Sequence, residues 1–238
     1  MTTSPANRRG PMALAFPSLG LSGLVAGAGL VLLLQFVPPT DDISPIRRTI
    51  SEYGLTSNKW VFDLAVVLVA FGSAAAFAGL IRQRLLPVRS VATALGGLWV
   101  VSLLVVVAFP KHNWAIGPSA GGDVHRVASI VGFVALPLAV LFAAKIVFEN
   151  AKTWRRISIA LAITSLGWFG VILTAVGIMA AGGPPWWVVI PLGLVERCMA
   201  LNGLLAVATL AVPLLTQPVP RLEPENDHYA PVNTESKS

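Results

Sequence analysis

The chain has 238 residues, of which 55% are hydrophobic and 12% charged, and its mean hydropathy is +0.75. A water-soluble domain does not carry that balance; a multi-span membrane protein does. The formal net charge of +6 has no clustered basic face behind it, which argues against a nucleic-acid partner, and a lone cysteine, Cys198, rules out an internal disulfide and a Cys-based metal site.

Residues 1–17 open with the polar MTTSPANRRG and predict a disordered N-terminal tail. Apolar runs long enough to cross about 30 Å of hydrocarbon follow at roughly 18–37, 59–81, 90–109, 124–148, 156–180 and 188–215. The expected fold is therefore an all-α integral membrane protein, a six-transmembrane-helix bundle over 18–215, with a second disordered tail over 216–238. Arg8 and Arg9 precede the first run, but its length and the lack of a small-residue cleavage site mark it as a retained span. Six spans put both termini on one side. Eleven of the 17 Lys and Arg residues fall on that side, so the positive-inside rule predicts cytoplasmic termini.

Three segments on the opposite, outer side carry the polar chemistry. In the first outer loop, PPTDDISPIRRTISEYGLTSN, Ser44 and Pro45 are a helix start, and Ile43, Ile46, Ile50 and Tyr53 recur at helical spacing. Gly54 is placed to stop the turn, so a short amphipathic helix on the outer surface is expected, bearing Ser51 and Glu52. In GGDVHR, Asp123 reads as the N-cap of the fourth span, with the paired glycines as the turn. His125 and Arg126 fall in its first helical turn, where the helix dipole disfavours positive charge, so an acidic group is expected to face them.

The last span carries GLVERCMALNG. Measured from Pro185, Glu196 lies roughly 16 Å along the axis at 1.5 Å per residue. Adjacent side chains point about 100° apart and cannot neutralise each other, so Glu196 and Arg197 each need a partner from elsewhere. Arg126 or His125 can meet Glu196; Glu52, Asp63 or Asp123 can meet Arg197. An interhelical ion-pair network with a purely structural role is the plain alternative.

These segments together, ISPIRRTISEYG, GGDVHR after a third span ending in FP, and GLVER, resemble the bacterial membrane proteins grouped as domain of unknown function 998. The matching positions are Ile50, Ser51 and Gly54, then Gly122 and His125, then Glu196 and Arg197. The KHNW stretch at 111–114 departs from the shorter, more acidic link that the resemblance implies. The resemblance covers roughly 18–215 and implies six helices and a bacterial plasma membrane, without an activity.

Three functions fit the residues. The leading one is an outward-facing polar pocket for a lipid headgroup or small anion, with Arg126, Arg197 and His125 as donors and Glu196 and Asp123 orienting them. Membrane lipids are then the partners, with an envelope membrane protein that it helps assemble as a further candidate. The second is transport, with Glu196 and His125 relaying protons. The third is an intramembrane hydrolase acting on a lipid, built on Ser51, Glu52, Asp123 and His125. No cofactor motif is present. With His228 in the C-terminal tail, too few histidines face outward to predict a metal centre.

Overall fold

A computed structural model describes residues 11–216, so the two expected disordered tails, apart from 11–17 and Thr216, lie outside the described residues. The helices are α1 (Pro11–Leu33), a 3-10 helix (Ile50–Leu55), α2 (Lys59–Arg82), α3 (Val91–Ala108), α4 (Ala120–Val147), α5 (Lys152–Ala180), a single turn α6 (Trp186–Val189) and α7 (Leu192–Thr216). Six of them are long and apolar enough to cross a membrane. α1 begins at Pro11, ahead of the start expected at 18. We call the end carrying the 34–58, 109–119 and 181–191 segments the loop end.

Apolar helices in lipid gain little from burying each other, so close backbone approach and interhelical hydrogen bonds must hold them together. α1 and α2 meet through glycine. A Cβ on Gly72 would lie 2.8 Å from Gly20 O and 2.9 Å from Leu24 N, and one on Gly23 would lie 2.8 Å from Leu68 O. α3 lies along α4, with Trp99 against Phe133 and Gly132, and its indole Nε1 donates to Ser73 Oγ of α2 at 3.2 Å. α5 packs on α4 and α7, joined to α7 through Ser158 and Thr209 at 2.7 Å, and is the least buried of the six spans.

Apolar burial is divided between two clusters. The larger, around Phe77, Leu80, Leu136, Val140, Val207 and Leu210, fills the half of the bundle away from the loops. The smaller, Leu34, Tyr53, Val61 and Phe62, sits under the first loop. At the loop end Trp60, Trp114 and Trp187 are mostly exposed, as an aromatic belt at a membrane interface would be.

The expected helix in the first loop is present but differs in kind and position. Ser44 does start one turn, its Oγ accepting from Arg47 N at 3.3 Å and its carbonyl from Arg48 N at 2.9 Å. Thr49 is then extended, and the 3-10 helix begins only at Ile50. The turn stops because other donors take the carbonyls of Ile46 and Arg48, as described below. Gly54 does not end it with a left-handed turn; it makes room for the Phe62 ring, which a Cβ would meet at 3.2 Å.

If the glycine contacts set the α1–α2 distance, Gly72→Ala overpacks it and costs about 1–3 kcal/mol. Gly29→Ala, with nothing within 4 Å of a new Cβ, should stay within about 0.5 kcal/mol of the parent. Thermal unfolding in detergent micelles reads both; equal losses would show that the glycines are not the determinant.

Candidate functional site

The site grows from the start of α7. Pro191 pushes Ile190 into an extended conformation (φ −101, ψ 145), which ends α6 and lets α7 begin at Leu192. Glu196 and Arg197 therefore sit near the first turn of a new helix, not deep in one running from Pro185. The first loop covers that turn. Ile46 O accepts from Leu194 N at 3.1 Å, satisfying one of the amides a helix start leaves open. Gly193 permits the contact, since a Cβ there would collide with Arg48 O and lie 2.6 Å from Pro45 O.

Glu196 and Arg197 both bind the loop, and neither uses the partners the sequence suggested. Glu196 Oε2 accepts from the backbone N–H of Ile50 at 2.8 Å, at the start of the 3-10 helix. Arg197 Nη1 donates to Arg48 O at 2.8 Å and to Gly193 O at 3.1 Å; its Nη2 donates to the Tyr53 hydroxyl at 2.7 Å. The guanidinium also lies over the Tyr53 ring, 5.7 Å from its centroid. Asp63, one of the acids expected to reach Arg197, pairs with Lys59 instead.

Glu52 turns to the 109–119 loop, where Lys111 Nζ donates to Glu52 Oε1 at 2.9 Å and to Thr49 Oγ1 at 2.8 Å. The KHNW departure thus ties two loops together. Its next residue, His112, is buried beside α4. Ser119 N–H donates to His112 Nδ1 at 3.0 Å, and Nε2 faces Asp123 Oδ1 at 3.4 Å. Gly122 makes this possible, because a Cβ on it would overlap the His112 ring.

Ser119, not Asp123, caps α4: its Oγ accepts from Gly122 N at 3.1 Å, and the paired glycines lie inside the first turn of the helix. Asp123 is free to bind Arg126 Nη2 at 2.6 Å, and both side chains are more than half exposed. That neighbour is the acid Arg126 needed, so Arg126 faces away from the bundle interior. His125 turns inward. Its Nδ1 contacts Phe109 O at 2.7 Å and Val106 O at 3.2 Å. Carbonyls only accept, so Nδ1 carries the proton and a neutral ring leaves Nε2 as an acceptor.

Beneath the cap lies a cavity of about 440 Å³ between α1, α2, α3, α4 and α7. Of the expected site residues, Ser51, His125, Glu196 and Arg197 line it; Glu52, Asp123 and Arg126 do not. Its walls are otherwise mainly apolar, from α1, α2 and α3 through Ala200 and Leu204 of α7. Ser51 Oγ bonds Thr49 Oγ1 at 3.1 Å, and the His125 ring makes hydrogen bonds only to Phe109 O and Val106 O among the described residues, so no nucleophile–base hydrogen bond joins the two. Gln35, also in the lining, has its Nε2 buried without a hydrogen-bond partner among the described residues.

A six-span helical bundle with a polar, loop-capped end defines a multi-pass membrane protein. Residues 23–213 match the family described as "Protein of unknown function (DUF998)", and the chain belongs to that family. No curated protein and no solved structure matches the chain.

The geometry makes Tyr53 and Lys111, which were not among the expected site residues, as important to the cap as the acidic residues. Tyr53→Phe removes a hydrogen bond to a charged donor and should cost about 1.5–3 kcal/mol. Lys111→Met frees the loop at Glu52. Both variants are expected to cut faster than the parent within 40–58 under limited proteolysis, with the bundle helices intact. Unchanged cleavage would mean the loop is held by something else.

Proposed function

We propose that this protein binds an amphiphile, with an apolar chain inside the bundle and a polar end under the loop cap. The carrying observation is the cavity: about 440 Å³, within the roughly 300–1,000 Å³ typical of ligand sites, with apolar walls and its polar residues gathered at the loop end. Leu32 of α1 and Leu201 of α7 line it and are 60% and 57% exposed. We read this exposure as an opening of the cavity between α1 and α7 toward lipid. In our reading both termini are cytoplasmic, so the polar end lies on the outer face of a bacterial plasma membrane. Membrane lipids are the natural pool of ligand.

Transport is the second reading, favoured by Glu196 and His125 lining one cavity. It requires an opening at the other end of the bundle. There the buried cluster around Phe77, Leu136, Val207 and Leu210 fills the space, which supports holding over passage.

Ala200→Phe fills the cavity from α7, whereas Gly170→Leu adds bulk on α5 where nothing lies within 4 Å. Native mass spectrometry of the full chain from nanodiscs should show a lipid-mass adduct on the parent and on Gly170→Leu, and none on Ala200→Phe. An adduct retained by Ala200→Phe, or a parent that stays bare after lipid is supplied, would overturn the reading.

A further inference from the structure

We propose that the cavity's polar end recognises a head group of no net charge that both donates and accepts hydrogen bonds, read by Gln35, His125, Glu196 and Arg197. The inference rests on the lipid-binding reading above and names the chemistry of the amphiphile's end.

Polar groups of both kinds stand open in the lining. Gln35 follows the end of α1, and its side-chain amide makes no hydrogen bond among the described residues, although its Nε2 is buried. Such an amide lacks partners for two N–H donors and a carbonyl oxygen. Arg197 spends both hydrogens of Nη1 on Arg48 O and Gly193 O and one of Nη2 on the Tyr53 hydroxyl. That leaves one donor on Nη2 and the one on Nε. The open acceptors are the Glu196 carboxylate oxygen that Ile50 N–H does not use and the lone pair on Nε2 of the buried His125.

Buried polar atoms left without partners cost free energy. Water donates and accepts, so a head group that displaces it must reproduce both halves of its bonding. An end with acceptors alone leaves Glu196 and His125 unpaired; one with donors alone leaves Arg197 unpaired. Charge narrows the choice further. Glu196 and Arg197 are the charged residues of the lining, one of each sign, and His125 is neutral in the tautomer its carbonyl contacts set. An anion gains at Arg197 and loses beside Glu196, and a cation does the reverse. A glycerol end, whose hydroxyls each donate and accept, or a zwitterion with one charge of each sign, meets both residues without surplus charge.

The test uses four amphiphiles with one chain and different ends: the 1-hexadecyl ether of glycerol, hexadecyl phosphoethanolamine, hexadecyl phosphate and hexadecylamine. Each is titrated into the full-length protein in one nonionic detergent and followed by native mass spectrometry and thermal shift. Ala200→Phe, with the cavity filled, gives the background from amphiphile that only enters the micelle. The glycerol ether, the phosphoethanolamine or both are expected to bind about tenfold or more tightly than either singly charged compound. Which of the two binds better tells a polyol from a zwitterion. Gln35→Leu removes an amide that bonds nothing in the protein, so it should unfold at the parent's temperature yet bind the preferred compound about tenfold more weakly. Hexadecyl phosphate or hexadecylamine binding as tightly as the better net-neutral compound would overturn the head-group inference and leave the lipid-binding reading standing. Unchanged binding by a folded Gln35→Leu would overturn the part given to Gln35. No binding above background by any of the four would remove both readings. The parent comparison decides the matter even where Gln35→Leu does not fold.

Discussion

Two neighbouring ionic side chains on α7 are solvated chiefly by another segment's backbone and by Tyr53, and the loop end of the molecule follows from that. Glu196 takes an amide proton from the 3-10 helix, and Arg197 gives protons to Arg48 O and the Tyr53 hydroxyl. A charge in an apolar setting needs a partner worth several kcal/mol, and an irregular loop near a membrane needs partners for its exposed amides and carbonyls. Each requirement meets the other. Gly193 lets the two backbones come within reach, and Pro191 places α7's first turn where the loop can cover it.

Once the loop is fastened there, its other attachments acquire a role. Tyr53 is fully buried in the smaller apolar cluster while its hydroxyl serves Arg197, so one residue joins the polar clasp to the packing beneath it. Lys111 and His112, adjacent in sequence, brace opposite neighbours: one the 3-10 helix, the other the start of α4. His125 closes the remaining side by giving its proton to carbonyls at the end of α3, which a helix terminus leaves unpaired. The space between this cap and the larger core is left unfilled by side chains, and that space is the cavity.

The six spans were legible because a membrane imposes a length and a composition that nothing else requires. Three residues that line the candidate site, Glu196, Arg197 and His125, stood out in the sequence because they are conspicuous in so apolar a chain. Their partners did not. The sequence offered side chains of opposite charge, whereas the fold supplied carbonyls and an amide, whose positions no pattern of residue types reveals. Depth was misread for Glu196 because Pro191 starts a new helix inside what looks like one apolar run. Asp123 was read as a cap because Ser119, the actual cap, stands before two glycines that look like a turn but belong to the helix. Lys111 left a trace, a cation beside a histidine in a chain with few charges, but only the fold shows that Glu52 is across from it.

The clasp also carries a consequence for how the molecule comes into being. Ile50 and Glu196 are separated by 146 positions in the chain, and Arg48 and Arg197 by 149. Synthesis delivers the N-terminal segments first, so the loop emerges and waits while four further spans are threaded into the bilayer. Until α7 arrives, its carbonyls and the Tyr53 hydroxyl have no guanidinium to meet. The roof of the cavity is thus the last part of the bundle to be fastened, and the helix that fastens it is also the one that completes the chamber's walls.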